Sequence, residues 1–255
     1  MKQSKPNAKE NIWRVAAVLF WLLAWQGAAA LLRQPLLLSS PLRVAQRLFS
    51  LLGEASAYAA LGYSLSRIAL GFGLGLLLGA ALAVSAARAR PVEYLLRPLM
   101  LTVRSVPVAS FIILALVFLT SRKLNSFISF LMVLPIVYSN LLEGLKSKSR
   151  QLDEMARVYR VPRLRRLLYI ELPQLKPYLL SAVSLSLGMS WKSGIAAEVI
   201  GIPAGSVGER LYQAKVYLDT SELYAWTLCV VLISMLFEKG LTALLKGAFR
   251  RMERL

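Results

Sequence analysis

Several apolar runs in this chain, each long enough to cross a membrane, alternate with basic segments. A helix needs about 20 apolar residues to span the hydrocarbon core of a bilayer. In lipid, each backbone N–H and C=O group must also be satisfied within the protein, which helices achieve locally. The pattern therefore predicts an all-α integral membrane protein. The apolar content of 57% and the mean hydropathy of +0.57 agree with that class.

The apolar runs predict six spans within a single transmembrane domain that covers residues 1–255. The spans lie approximately at residues 12–32, 57–87, 94–119, 124–145, 173–200 and 223–245. The first run could instead be a cleaved signal peptide, because the small residues of "QGAAALL" offer a cleavage site. We favour an uncleaved span, since the apolar run continues through Trp21, Trp25 and Leu32.

Lysine and arginine give the chain a formal charge of +18 and collect in four segments. These basic segments precede the first span and follow the second, fourth and sixth spans, so they alternate correctly to share one side. The positive-inside rule assigns that side to the cytoplasm, and both termini are predicted to lie there. Nucleic-acid-binding proteins can be equally basic, but they do not normally carry several spanning runs. We therefore expect membrane lipid, and not nucleic acid, around this chain.

The sequence offers little for catalysis. It contains no histidine, and its one cysteine, Cys229, lies in an apolar run. It also lacks a Gly-x-x-x-x-Gly-Lys-[Ser/Thr] loop, so we expect no cofactor in this chain and any nucleotide hydrolysis on another polypeptide. The glycine-rich "GFGLGLLLGAALAV" is a mid-span ridge for close helix packing. Its small residues Gly71, Gly75, Gly79 and Ala83 lie four apart.

Two segments between spans on the opposite side are predicted to be interfacial helices. "SSPLRVAQRLFSLLG" has Ser40 as N-cap and Gly53 as stop signal. "SVGERLYQAKVYL" begins with Ser206 and Glu209 at the spacing of a capping box. Both helices are expected to lie on the outer membrane surface, or to form part of a docking platform for an external partner.

The basic segment "EMARVYRVPRLRRLLYIELPQLKP", residues 154–177, separates spans four and five. Asp153 and Glu154 favour a helix start, because carboxylates suit the positive end of the helix dipole. Pro162 predicts a turn, a second helix follows at about residues 163–171, and Pro173 restarts the chain at the bilayer. The segment is thus predicted to form a helix–turn–helix elbow at about residues 146–172. A loop held inside by charge or bound to anionic lipid is the alternative, but it leaves the apolar face of the first helix unexplained.

The ionisable residues inside the predicted spans include Arg104, Lys192 and Glu198, and Glu143 lies near the inner end of the fourth span. A charge at membrane depth is costly and usually faces a cavity or a partner. Lys192 and Glu198 are six residues apart, so they lie on different helix faces and do not pair along the helix. Each could pair with another span; otherwise Arg104 and Lys192 would form an electropositive constriction that favours an anion. The predicted substrate pathway consists of Arg104, Trp191, Lys192 and Glu198.

The elbow sequence resembles the EAA loop of membrane permeases from ABC-type importers. That pattern is Glu-Ala-Ala, a glycine four residues beyond the last alanine, and then Ile-x-Leu-Pro. Here Met155 replaces the first alanine, and Arg160 stands where the family has glycine, a residue that would permit a left-handed turn. The predicted ATPase-coupling residues are Glu154, Met155, Ala156, Tyr159, Arg160, Ile170, Leu172 and Pro173. Ala156 is expected on the face that enters the ATPase groove.

The remaining sequence resembles the nitrate/sulfonate/taurine branch of these permeases, in stretches such as "LGYSLSRIALGFGLGLLLGAAL" and "VLPIVYSNLLEGL". The resemblance implies a type I importer-like permease in a bacterial-type plasma membrane. It also implies a second permease copy, two cytoplasmic ATP-binding subunits that carry the ATP and magnesium, and an external substrate-binding protein. The solute would be a small organic or inorganic anion. Glu198 matches a glutamate that is frequent in this branch, and we interpret it as structural.

Two other functions are compatible with a polytopic membrane protein. A secondary transporter would couple to an ion gradient, but it should show paired inverted repeats with broken helices at depth, and no convincing pair is found in the sequence. A non-transporting scaffold or sensor leaves the elbow and the intramembrane charges unexplained. Copurification of an ATPase subunit would separate these alternatives.

Overall fold

The computed structural model describes residues 8–32, 34 and 36–252. Every regular element among those residues is helical, which confirms the predicted all-α class. The elements are α1 Ala8–Leu32, α2 Pro41–Leu52, α3 Ala55–Arg88, α4 Arg90–Ser105, α5 Val108–Phe118, α6 Ser121–Lys146, α7 Arg150–Val158, α8 Arg163–Arg166, a π-helical turn Leu167–Glu171, α9 Leu172–Gly201, α10 Val207–Val216 and α11 Thr220–Met252.

Four described helices contain a segment long and apolar enough to cross a membrane, and the bent pair α4–α5 would make a fifth. The four segments are Ile12–Leu32, Ala55–Arg88, Ser121–Lys146 and Thr220–Gly247. The predicted fifth span coincides with α9, a helix of 30 residues, but serines, Lys192 and Glu198 interrupt its apolar sequence. The count of six spans therefore stays a prediction. Lys2, Lys5 and Arg254, which contribute to its basic segments, lie outside the described residues.

The predicted third span is not one straight helix. Its two halves, α4 and α5, meet at an angle of 105°. Val106 is extended at the break, with φ −79° and ψ 134°. Pro107 follows it and explains the break, because proline lacks an N–H and disfavours helical geometry in the preceding residue. Pro98, by contrast, stays inside α4.

The larger of two compact units, residues 59–209 and 231–255, has a core in which α3, α6 and α9 pack against one another. The glycine ridge of α3 lies against α6: a Cβ atom on Gly75 would lie 2.8 Å from Cβ of Val133, and one on Gly79 would lie 3.0 Å from Cβ of Val137. Only a residue without a side chain allows this approach, so the predicted packing role is confirmed.

The smaller unit, residues 1–58 and 210–230, joins α2 to the start of α11 through polar contacts. Arg47 bonds Glu222 and, at 2.7 Å, Glu54. The hydrogen bond with Glu222 raises the pKa of Arg47 above its ordinary value, so this guanidinium stays charged. Glu222 also accepts a hydrogen bond from Trp226 Nε1 at 2.6 Å. The single-domain assignment is not tested by this division and stays a prediction.

Both segments predicted to be interfacial are helical, and their position at the membrane surface stays a prediction. Ser40 caps α2 by accepting from the N–H of Arg43, and Gly53 follows its last residue. For α10, Ser206 Oγ accepts from the N–H of Glu209 at 3.0 Å. The second half of the capping box differs, because the Glu209 carboxylate accepts from Gly205 instead of Ser206.

Candidate functional site

The first helix of the elbow, α7, begins earlier than predicted. Ser149 is its N-cap, with Oγ accepting from the N–H of Leu152 at 3.4 Å, and Arg150 is its first residue. Of the two acids predicted at the helix start, Asp153 lies in the first turn as expected, and the prediction for Glu154 was wrong. Glu154 lies in the second turn, exposed, and forms a 3.0 Å ion pair with Arg150. The serine in front of the amphipathic stretch was the signal that could have located this start.

Arg160 occupies the turn between the two halves of the elbow in a left-handed conformation, with φ 49°. Two backbone hydrogen bonds close this turn: Val161 N–H to the Ala156 carbonyl at 2.9 Å, and Arg160 N–H to the Arg157 carbonyl at 3.1 Å. This is the Schellman arrangement, in which glycine usually takes the left-handed position. The elbow thus keeps the backbone that a glycine would give, even though arginine replaces it.

The second half of the elbow runs into α9 without a break. Residues 163–201 are helical throughout, through α8, the π-helical turn and α9, so the prediction that Pro173 restarts the chain was wrong. The turn widens just before the proline, where Leu172 donates to the carbonyl of Leu167 five residues back. Proline lacks an N–H and would clash with the carbonyl four residues earlier in a regular α-helix. The π-helical turn removes that conflict.

A group of ion pairs holds the elbow closed. The Arg166 guanidinium lies 3.1 Å from the Asp153 carboxylate and 3.2 Å from that of Glu171. Lys148 forms a second ion pair with Glu171. The four side chains are 20–28% exposed, so water screens these pairs less than it screens fully exposed ones. Arg166, in α8, therefore joins α7 to the helical stretch that leads into α9.

The elbow presents an apolar stripe on the surface of α7. The stripe consists of Leu152, Met155, Val158 and Tyr159, which are 39%, 43%, 77% and 76% exposed. Ala156 is only 2% exposed, so the expectation that its side chain enters a partner's groove does not match its position. Ile170, Leu172 and Pro173 are half-buried at the junction with α9.

The predicted pathway residue Arg104 lines a cavity of about 510 Å³ between α4 and α6. Its Nη1 donates to Ser139 Oγ at 3.2 Å. We call this space the α4–α6 cavity. Its lining residues are Glu93, Arg97, Met100, Leu101, Arg104, Tyr138, Ser139, Leu142, Glu143 and Lys146.

The other predicted pathway residues lie elsewhere on α9. Trp191 is buried and packs edge-on against Phe237, with ring centroids 6.2 Å apart. Lys192 is exposed, while Glu198 is completely buried. Among the described residues, no hydrogen bond or ion pair joins any of these three to Arg104. The grouping of Arg104 with Lys192 at one constriction stays a prediction.

Glu198 is the centre of a buried hydrogen-bond network. Its carboxylate accepts from Ser64 Oγ at 2.7 Å, from Asn125 Nδ2 at 2.6 Å and from the N–H of Gly208 at 3.1 Å. Ser64 Oγ in turn accepts from the N–H of Val207 at 3.0 Å. These bonds connect α3, α6, α9 and the start of α10. A side chain on Gly208 would collide with Glu198, so the sequence fits its buried acid closely. The spacing of residues along a single helix could not reveal these partners, because they lie on other helices.

Residues 71–254, which include the elbow, the α4–α6 cavity and Glu198, match the family described as "Binding-protein-dependent transport system inner membrane component". The chain belongs to this family. It is therefore a membrane permease component of ABC-type transport systems, a non-enzymatic subunit, and an integral protein of the inner membrane. The predicted resemblance is confirmed.

Similar proteins come from several solute transport systems. The taurine transport system permease protein of Escherichia coli is 25% identical over 251 residues, covering 96% of this chain and 91% of that protein. The bicarbonate transport system permease protein of Synechococcus elongatus is 23% identical over 190 residues, covering 74% and 68%. The nitrate import permease protein of Leptolyngbya laminosa is 27% identical over 164 residues, covering 64% and 54%.

Proposed function

We propose that this chain is the permease subunit of an ATP-driven importer that carries a small oxyanion into the cell by alternating access. Two cytoplasmic ATP-binding subunits would supply ATP and magnesium, a second copy of this chain would complete the pathway, and an external binding protein would deliver the solute. Both termini would lie in the cytoplasm. The similar permeases are named for taurine, bicarbonate and nitrate, and these solutes share an oxyanion group.

The observation that carries the proposal is the exposed apolar stripe of α7. Large apolar side chains exposed together on a polar, basic segment mark an interaction surface. Met155 and Tyr159 would contact the ATP-binding subunit directly, and Glu154 beside them would pair with a basic residue of that subunit. The surrounding exposed arginines, Arg157 and Arg160, would face its acidic side chains.

The ion pairs of the elbow would couple a movement of α7 to a movement of α9. Arg166 and its ion pairs fix α7 to the helix that begins at Arg163, and this helix continues unbroken to Gly201. A displacement of the elbow would therefore move α9 as a lever. Ala156 and Arg160 would keep the shape of the elbow, while Ile170, Leu172 and Pro173 would form the joint with α9. The far end of the lever carries Glu198, which is bonded to α3 and α6.

In the proposed cycle, ATP binding closes the two ATP-binding subunits and draws the two elbows together. The α9 levers then tilt the spans from an inward-open to an outward-open arrangement, in which the binding protein releases its solute. ATP hydrolysis restores the inward-open arrangement. No covalent chemistry takes place in this chain.

Copurification tests this function and its two alternatives. The chain, expressed with its ATP-binding subunit and solubilised in detergent, should bring that subunit down in stoichiometric amount. Tyr159→Glu should lower the amount of retained ATP-binding subunit about tenfold or more, because the substitution would bury a charge at the centre of the interface. Tyr217→Glu is the matched control, since Tyr217 is 80% exposed outside the elbow, and it should retain the subunit. A secondary transporter or a scaffold would copurify with no ATP-binding subunit. If Tyr159→Glu retained as much of that subunit as the wild type, the elbow would not be the docking site.

A further inference from the structure

The charges in the α4–α6 cavity are not balanced by ion pairs. Lys146 and Glu93 bond each other at 2.5 Å at one end of the cavity. Arg97 and Arg104 also line it, yet no described carboxylate lies within ion-pair distance of either guanidinium. Glu143 is the only other acid in the lining. The lining therefore carries three cations against two carboxylates, and its two arginines, which form no ion pair among the described residues, are the cations that an anionic ligand could bind.

Tyr138 adds an unpartnered donor to the same cavity. The residue is 4% exposed and lines the cavity, and its hydroxyl has no hydrogen-bond partner among the described residues. A buried hydroxyl without a partner is unfavourable, and a ligand oxygen would relieve it. The neighbouring Ser139 hydroxyl already donates to the Pro135 carbonyl at 2.7 Å, so Tyr138 is the hydroxyl that remains available to donate.

The two arginines are placed to act together. Arg97 and Arg104 are seven residues apart on α4, which puts them on one helix face about 10 Å apart along the axis. Met100 and Leu101 lie between them in the lining. A volume of about 510 Å³ lies within the range of small-molecule sites. The cavity is thus a stripe of two cations with apolar contacts between them, facing a tyrosine hydroxyl.

We propose that the α4–α6 cavity is a binding site for the oxyanion group of the transported solute, a sulfonate, carboxylate or comparable group. Arg97 and Arg104 donate charge-assisted hydrogen bonds to the oxygens of this group. The uncharged hydroxyl of Tyr138 donates a further hydrogen bond to it. This assignment to the solute rests on the proposed function. The headgroup of an anionic lipid offers the same chemistry, so the test must separate these two sources.

Binding of radiolabelled ethanesulfonate to the full permease complex in phosphatidylcholine nanodiscs measures the site. The wild-type complex should bind it saturably, with choline failing to compete. Arg97→Gln and Arg104→Gln should each weaken binding about tenfold, because each removes a hydrogen bond to a charged group. Tyr138→Phe should weaken it by a smaller factor, and Arg104→Lys should recover part of the loss. Arg67→Gln, an arginine of α3 outside the cavity, should bind like wild type.

Lipid is tested by native mass spectrometry of complexes from phosphatidylglycerol nanodiscs. The solute assignment is overturned if three results occur together: the wild type retains phosphatidylglycerol, the arginine variants lose it, and ethanesulfonate does not bind. Equal binding of ethanesulfonate by wild type and by the Arg97→Gln, Arg104→Gln double variant also overturns it. In both cases an intact, ATP-hydrolysing complex leaves the proposed function standing. Loss of the ATP-binding subunit from the wild-type complex would instead refute the proposed function, whatever the binding result.

Discussion

Val161 donates its backbone N–H to the carbonyl of Ala156 at 2.9 Å, and the two residues close the elbow around a left-handed arginine. The left-handed conformation costs a residue with a side chain about 1–2 kcal/mol, whereas glycine adopts it freely. The turn is therefore set by its hydrogen bonds and by Pro162 after it, and not by the conformational preference of Arg160.

Replacing Arg160 by glycine should stabilise the elbow. Arg160→Gly removes the strain but adds backbone freedom to the unfolded chain, so a net gain of about 0.5–1 kcal/mol is expected. The thermal unfolding midpoint of the purified permease should rise. Arg157→Gly is the matched control, because it places glycine inside α7 and should lower the midpoint. A lower midpoint for both variants would show that Arg160 makes contacts worth more than its strain.

Ala156 and Tyr159 should respond differently to substitution, since one is buried and the other is exposed on the same helix. Ala156→Trp should overpack the elbow, at a cost of about 1–3 kcal/mol or more, and should lower the thermal midpoint of the permease alone. Tyr159→Glu should leave that midpoint unchanged and release only the ATP-binding subunit. If Ala156→Trp kept the wild-type midpoint, its side chain would face a partner instead of the chain itself.

Glu198 should be replaceable by glutamine but not by alanine. Glutamine can keep an oxygen toward Ser64 and Gly208 while its amide faces Asn125, whose own amide can rotate because its Oδ1 has no partner among the described residues. Alanine would leave several buried donors unpaired, at a cost of roughly 3 kcal/mol or more.

The yield of folded permease and its thermal midpoint should follow the order wild type, Glu198→Gln, Glu198→Ala. Glu154→Ala, an exposed acid outside this network, should shift the midpoint little. Wild-type stability in Glu198→Ala would mean that the network does not hold α3, α6 and α9 together.

The predicted orientation can be tested by cysteine labelling. Ser147 ends α6 at the elbow, and Ser206 precedes α10. In a Cys229→Ala background, Ser147→Cys should react with a membrane-impermeant maleimide only from the cytoplasmic side. Ser206 is buried, so a cysteine there would be poorly accessible to the reagent. Tyr217→Cys therefore serves as the accessible probe for the opposite side. Labelling of both positions from one side would contradict the predicted alternation of the spans.

Hydropathy and capping residues predicted most of the helices, because each depends on local sequence. The long apolar runs predicted α1, α3 and α6 to within about four residues, whereas α11 continues seven residues beyond the predicted end at residue 245. Ser40 and Gly53 bounded α2. Prolines were harder to interpret. Pro107 breaks the third span, while Pro173 does not break α9 because a π-helical turn relieves its clash.

The site was less predictable than the helices. Arg104 and Glu198 were identified as costly charges at depth, but their surroundings depend on helices that are distant in sequence. The bonds of Glu198 to Ser64 and Asn125 cross 134 and 73 residues. In the sequence Arg166 is only one of several arginines in a basic segment. Its role in closing the elbow depends on the position of Asp153 in the folded chain. Such pairs follow from the tertiary packing and leave no periodic signal.

In the proposed cycle, ATP drives the elbows of the two permease copies toward each other. Glu154 is an exposed residue on α7, 60% exposed in its side chain, and a spin label on Glu154→Cys in the Cys229→Ala background reports the distance between the two copies. In the complex with its ATP-binding subunits, double electron–electron resonance should give one distance without nucleotide and a distance several ångström shorter with trapped ATP. An unchanged distance, or the absence of any distance between copies, would contradict the account.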